Sequence, residues 1–379
     1  MNFYLQIVFL VLIASILSYG MRKIIVYNRY SEKIGLKNCD FSNRFRFLVP
    51  CGILLILISG LRHNMGTDYV SYQYIFEHKI KEMSLRQILI KDEPLFAFIQ
   101  KMVGEILGYH IVILMLIFAC ITVISLFYFF SRESELVWLS VFLTLTIGSY
   151  FTSFNTTRNY LTAVIWSLTV KFIYEKKFLL YFCCIIVLSL IHTSALIMLP
   201  MYWILRIKWF ERKNWFLLPL ASAVFLFVYF YTENIYNWIA SFPFLPMVAI
   251  RGEGKLSLDY HSGTPWISII RPLFYCLIII INKKASNNRY PQNVVWENGA
   301  LYFLIVQLIS TKYYMFYRIT YYMIPLAIVG LVHAIMMNKH QKNRRRWIFV
   351  VMVFAFAWGL LGGQFYANYR FFWQDNVIL

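Results

Sequence analysis

The chain has 379 residues, of which 60% are hydrophobic, 19% aromatic and only 14% charged. A soluble protein this apolar could not cover its own surface, and the apolar residues fall in runs of roughly the 20 residues that cross a bilayer, so a soluble globular fold is excluded. The net charge of +19 would suit a nucleic-acid partner, but the basic residues lie mostly in short loops between apolar runs. That is the positive-inside pattern of a membrane protein, and no nucleic acid is expected.

In chain order, apolar spans are predicted at 3–20, 45–61, 109–130, 136–152, 159–174, 178–191, 193–207, 215–232, 266–282, 296–311, 318–337 and 347–364. The first has no basic residue before it and no small-residue cleavage pattern after it, so it reads as a retained helix and not a signal peptide. The stretch EPLFAFIQKMVGEILG (93–108) is amphipathic and carries Lys101 and Glu105, which predicts an interfacial or re-entrant helix. The fold class expected is therefore an all-α polytopic membrane protein of about twelve transmembrane helices plus that extra helix. With the 20–46 linker in the cytoplasm, 23 of the 36 Lys and Arg residues fall on the cytoplasmic side and every loop alternates consistently. Residues 1–379 then form a single membrane-embedded domain with two sizeable outer-face loops, 62–108 and 233–265. The second loop contains RGEGKLSLDYHSGTP (251–265), whose Gly and Pro content suits an ordered or lid-like loop. The cysteines are Cys39, Cys51, Cys120, Cys183, Cys184 and Cys276; none falls in the predicted outer segments, and neither a disulfide framework nor metal-ligand spacing is visible.

The informative residues are the polar ones at the predicted outer membrane edge. An arginine at the centre of a bilayer costs about 2.5–3.5 kcal/mol on insertion scales, so membrane-embedded charge points to function. Arg62, Arg158, Arg271, Lys312 and Arg318 all lie near predicted helix ends on that side. Each alone suits snorkelling or a headgroup contact; together the planar forks of the four arginines suit phosphate oxygens, as on a pyrophosphate-bearing lipid. In LRHNMGTDYVSYQYIF (61–76), Arg62 is followed by Gly66, Thr67, Asp68 and the rings of Tyr69, Tyr72, Tyr74 and Phe76, a set that fits a ligand part phosphate and part sugar. An aromatic belt explains the rings equally well. His192, in LSLIHTSALIMLP (188–200), is either a hydrogen-bonded structural residue or a proton acceptor. Asp68, Glu93, Asp259 and His261 are the other external candidates for a base. Tyr313, Tyr314, Tyr317, Tyr321 and Tyr322 suit sugar stacking or a belt.

These landmarks in this order resemble the EpsG family of Wzy-type polysaccharide polymerases. The resemblance rests on GLRHNMGTDYVSYQYIF (60–76), EPLFAFIQKMV (93–103), NTTRNYLTAVIW (155–166) and LSLIHTSALIMLP (188–200), with YRITYYMIPL (317–326) as a weaker fifth match. It covers most of residues 50–330. It departs from the family at Asn159, where Gln is frequent, and does not extend to the 233–265 loop. The resemblance implies a membrane glycosyltransferase with GT-C-like architecture in the bacterial inner membrane. It would join undecaprenyl-pyrophosphate-linked oligosaccharide repeat units, as donor and acceptor, on the outer face. A chain-length-regulating membrane protein is an implied partner. Under that reading Arg62, Arg158 and Arg318 bind the pyrophosphate, with Arg271 beside them. Asp68 or His192 is the base, Asp68 first because it shares a loop with Arg62, and Glu93 comes third. Tyr69, Tyr72 and Tyr317 contact sugar. Neither cofactor nor metal is expected, because the cations can neutralise the leaving group's charge. A flippase or transporter, an O-antigen ligase-like enzyme and a membrane acyltransferase are the competing readings.

Overall fold

The computed structural model describes residues 39–66, 68–209, 230–231, 263–283, 291–338 and 340–362. The predicted span at 3–20, nearly all of the span at 215–232, most of the 20–46 linker and most of the 233–265 loop, with Asp259 and His261, lie outside the described residues. All regular structure among the described residues is helical. In chain order the α-helices are α1 (Cys39–Gly60), α2 (Tyr69–Tyr74), α3 (Leu85–Leu89), α4 (Pro94–Leu107), α5 (Ile111–Glu133), α6 (Val137–Thr146), α7 (Ser149–Thr152), α8 (Thr157–Thr169), α9 (Lys171–Tyr174), α10 (Phe178–Ser189), α11 (Met201–Ile204), α12 (Ile270–Lys283), α13 (Pro291–Ser310), α14 (Tyr317–Met336) and α15 (Gln341–Gly362). Helix is what long apolar runs adopt when each segment must satisfy its own backbone polar groups.

Helices α5 and α14 are long and apolar enough to cross a membrane. At 23 residues, α5 is about 35 Å long, against a hydrocarbon layer of about 30 Å. Shorter apolar helical stretches occupy Leu48–Gly60, Val137–Thr146, Phe178–Ser189, Thr193–Ile204 and Trp266–Asn282. Two predicted spans break at a glycine or a proline. The run 136–152 divides at Gly148, whose φ of +78° ends α6 and starts α7. The run 193–207 is a 3₁₀ turn, Thr193–Met198, followed after Pro200 by α11. Proline has no N–H to continue the ladder, so the break falls there.

The chain forms two compact units. The first holds the described residues of 1–170, 182–196 and 340–379. Here α5 is the spine, with α1 and α8 against it and α15 packed on α6. Two buried hydroxyls in these helices are satisfied locally. Thr122 donates to the Phe118 carbonyl at 2.7 Å, and Thr144 donates to that of Ser140 at 2.9 Å. Such back-bonding removes the cost of burying a hydroxyl in an apolar helix.

The second unit holds the described residues of 171–181 and 197–339, with α13 and α14 as its main pair and α12 packed on both. The pair sits close because glycines face it from both sides. A Cβ on Gly299 would lie 2.5 Å from Leu326 Cβ, and one on Gly330 would lie 2.5 Å from the Trp296 carbonyl oxygen. Small residues at such crossings let backbones approach where no hydrophobic drive exists between helices in lipid. Asn298, fully buried, donates to the Leu205 and Ile207 carbonyls at 2.8 and 2.6 Å, supplying partners to the carbonyls that follow α11.

Candidate active site

The predicted outer loop 62–108 is mostly helix, and its elements place a polar cluster in the first unit. After Arg62 the chain turns at Gly66, which has φ +92°. A Cβ there would lie 2.5 Å from the Phe154 carbonyl oxygen and 2.6 Å from Asn155 Oδ1, so only glycine lets this loop reach the turn before α8. Helix α2 then runs into a π-helical segment, Ile75–Ile80, a form concentrated at functional sites. Within it Glu77 accepts the Ile111 backbone N–H at 3.1 Å, capping the N-terminus of α5 with a negative charge that the helix dipole favours. This contact ties the π-helical segment to the end of the spine. A small core of Ile80, Ile88 and Ala97 ties the π segment, α3 and α4 together.

At the start of α4, Glu93 is 5% exposed and organises the cluster. One of its oxygens, Oε1, pairs with His192 Nδ1 at 2.7 Å and accepts the Thr193 N–H at 3.2 Å. The other, Oε2, forms an ion pair with Arg158 Nη1. The backbone helps set this up: the Leu95 N–H donates to the Leu190 carbonyl at 3.0 Å, drawing the first turn of α4 to the turn that carries His192. Burial pushes the Glu93 carboxyl up. The His192 hydrogen bond, the Arg158 charge and the Thr193 N–H outweigh it and hold the group down at about 2. A carboxylate that stays ionised this firmly is a poor proton acceptor but a strong orienting group. With Glu93 anionic, Nδ1 carries its proton toward the carboxylate, so the lone pair of a neutral His192 lies on Nε2.

Arg158 occupies the first turn of α8. Its guanidinium stacks over Phe96, 5.4 Å from the ring centroid, and Phe96 in turn stacks on Phe118 at 5.2 Å. Its side chain is about a third exposed, and its buried Nε has no hydrogen-bond partner among the described residues. An arginine held on one edge by a carboxylate and on one face by a ring presents its remaining donors in a fixed direction. The Arg158 backbone N–H donates to the Tyr72 hydroxyl at 3.4 Å. Burial pushes the Tyr72 phenol up, Arg158 opposes this, and Asp68 and Glu93 reinforce it. Asp68, half-buried just before α2, is thus within electrostatic reach of the same hydroxyl.

Of the predicted site residues, Asp68, Tyr72, Glu93, Arg158 and His192 come together here. Tyr69 is buried at 1% exposure, its ring 5.7 Å from that of His63. Arg62 is also 1% exposed. Its guanidinium donates to the Ser59 carbonyl and, at 3.0 Å each, to the hydroxyls of Ser59 and Thr157, and lies 4.8 Å over the Phe154 ring. Enclosed in this way, it braces the start of α8 and so positions Arg158. Arg271, Tyr317 and Arg318 belong to the second unit. There Arg271 is 5% exposed and lies 4.9 Å over Phe303, while Tyr317 packs edge-on to Tyr321 at 5.4 Å.

Sequence reasoning missed Phe96, Thr157, Thr193 and Lys91. The sequence signal for Phe96 was its place one helical turn after Glu93. Lys91 stands beside the cluster: burial, Lys79 and Arg158 push its ammonium down, against Asp92 and Glu93. Among the described residues no group of three or more His, Cys, Asp or Glu converges as a metal site requires. Residues 45–371 match the family model described as EpsG family. No curated protein and no solved structure matches the chain.

Proposed function

The chain belongs to the EpsG family, a Wzy-like polymerase family, and from that premise we propose that it is a membrane glycosyltransferase that lengthens a polysaccharide from lipid-pyrophosphate-linked repeat units. The observation that carries this reading is the double engagement of Glu93, with Arg158 on one oxygen and His192 on the other. Polymerisation needs a cation for a departing pyrophosphate and a proton acceptor for an incoming sugar hydroxyl, and this carboxylate fixes one of each.

In the proposed reaction His192 Nε2 accepts the proton of a hydroxyl on the acceptor's terminal sugar. That oxygen bonds to the anomeric carbon of the donor chain, and the bond from this carbon to the lipid pyrophosphate breaks. The leaving group takes the electron pair, and Arg158 neutralises its charge. Glu93 keeps the imidazole in the reactive tautomer and stabilises the imidazolium that forms, the part a carboxylate plays beside a catalytic histidine. Tyr72 contacts sugar, Asp68 is the second candidate base, and Arg62 acts by positioning. The carrier is undecaprenyl, the architecture GT-C-like with about twelve spans, and the reacting face external.

The test is purified protein in detergent with a defined undecaprenyl-pyrophosphate oligosaccharide and no other protein. The expected product is a ladder spaced by one repeat unit, absent for Arg158→Ala. A verified native substrate that gives no ladder, but is moved across vesicle bilayers or transferred to a lipid A core, overturns the proposal in favour of a flippase or a ligase.

A further inference from the structure

The segment just before Glu93 has an outward apolar face that the transfer chemistry does not use. Helix α3 begins at a capping box. The Ser84 hydroxyl accepts the Gln87 N–H at 3.4 Å, and the Gln87 side chain accepts the Ser84 N–H at 2.8 Å. Its one buried side chain, Ile88, sits at 0% exposure in the small core with Ile80 and Ala97, which fixes the rotation of the helix. Leu85, Leu89 and Ile90 are therefore turned outward, exposed at 54%, 68% and 74%. Three large aliphatic side chains thus stand in the open beside an ionic cluster. Over residues 79–92 the charged side chains are Lys79, Lys81, Arg86 and Lys91 against the carboxylates of Glu82 and Asp92. Apolar side chains rimmed by cations match a phosphate-rich lipid surface: the aliphatics enter the acyl boundary while the cations meet headgroup phosphates. The same chemistry continues along α4, where Ile106 and Leu107 are exposed at 74% and 52%.

We infer that residues 85–90 lie in the interfacial layer of the bilayer, with Leu85, Leu89 and Ile90 among the acyl chains, and that this contact holds the adjoining Glu93–Arg158 cluster at headgroup depth. The occupant of this face is lipid bearing anionic headgroups. The inference concerns where the segment sits and stands whatever reaction the cluster performs.

The native chain is tested in bilayers of phosphatidylethanolamine and phosphatidylglycerol doped with a lipid carrying a photoactivatable diazirine in its acyl chain. After illumination, adducts are mapped by mass spectrometry, with the 85–90 peptide also followed in its unmodified form. Ile124 and Tyr128, exposed on α5 at 50% and 39%, serve as the internal positive control. The expected result is adducts on Leu85, Leu89 or Ile90 at a yield within about threefold of the α5 control, and none on the exposed Glu82. Labelling of α5 with an unlabelled 85–90 peptide overturns the inference, whether a water-soluble carbene probe then marks that peptide, as for an aqueous loop, or spares it, as for a face covered by protein.

Discussion

At the scale of single residues, the cluster depends on one carboxylate holding two different partners. Folding lowers the Glu93 carboxyl from an ordinary 4.5 to about 2. The stabilisation it gives is thus fully present above about pH 4.5 and is lost as pH falls toward 2, a term on the order of 3 kcal/mol. Thermal unfolding of the detergent-solubilised protein should fall in Tm across that window, and Glu93→Gln should flatten the fall while lowering Tm at neutral pH. An unchanged slope in the variant would show that other carboxyls govern acid stability. The two arginines separate by readout. Arg158→Ala should cut turnover about 10²- to 10³-fold, as expected for losing a charge-stabilising group. Arg62→Ala should mainly lower Tm, because its guanidinium is spent on Ser59 and Thr157. Asp68→Asn should cost less than tenfold in turnover if His192 takes the proton; a 10³-fold loss would return the base to Asp68, the first choice on sequence grounds. Arginines at membrane edges look alike in a sequence whether they face lipid phosphate or lie enclosed under a ring, and so the enclosure of Arg62 was not legible there. Glu93, Arg158 and His192 were each legible as costly polar groups. Their meeting was not, since Glu93 and His192 are 99 residues apart.

At the scale of elements, the positions of the longer described helices were legible from runs of apolar residues, while their interruptions and the short helices α2 and α3 were not. Apolar runs read the same through Gly148 and up to Pro200, where the backbone breaks. The π-helical segment Ile75–Ile80 carries no signature of its own either, since its apolar spacing suits an ordinary helix. Two glycines separate the causes of such constraints. Gly66 combines φ +92° with a Cβ position 2.5 Å from a carbonyl oxygen, whereas at Gly148, with φ +78°, an added Cβ meets nothing within 4 Å. Gly148→Ala should therefore cost about 1 kcal/mol, the backbone term alone. Gly66→Ala should cost about 2–4 kcal/mol, with a parallel loss of activity as the turn before Arg158 is displaced. Equal losses of Tm would mean the contact with Phe154 is soft.

At the scale of the whole molecule, the charge pattern predicts which loops share a side of the membrane. The 62–108 segment, the turn before α8 and the turn carrying His192 were all assigned to one face, and the cluster contains a residue from each: Glu93, Arg158 and His192. The basic loop 171–178 was assigned to the opposite face. A membrane-impermeant thiol reagent applied to intact cells should label Ser84→Cys above the background of native cysteines. It should label Lys176→Cys only after permeabilisation. The reverse pattern would invert the orientation and place the cluster on the cytoplasmic side.

The most direct measurement is a double-mutant cycle on polymer formation with Glu93→Gln, His192→Ala and the pair together. If Glu93 acts by orienting a histidine base, His192→Ala alone should lose about 10³-fold, in the range of general-base catalysis. Glu93→Gln should lose about 10²-fold, and the double variant should be no slower than His192→Ala within a factor of three. Losses that multiply to about 10⁵-fold would contradict the account, because the carboxylate and the imidazole would then act independently.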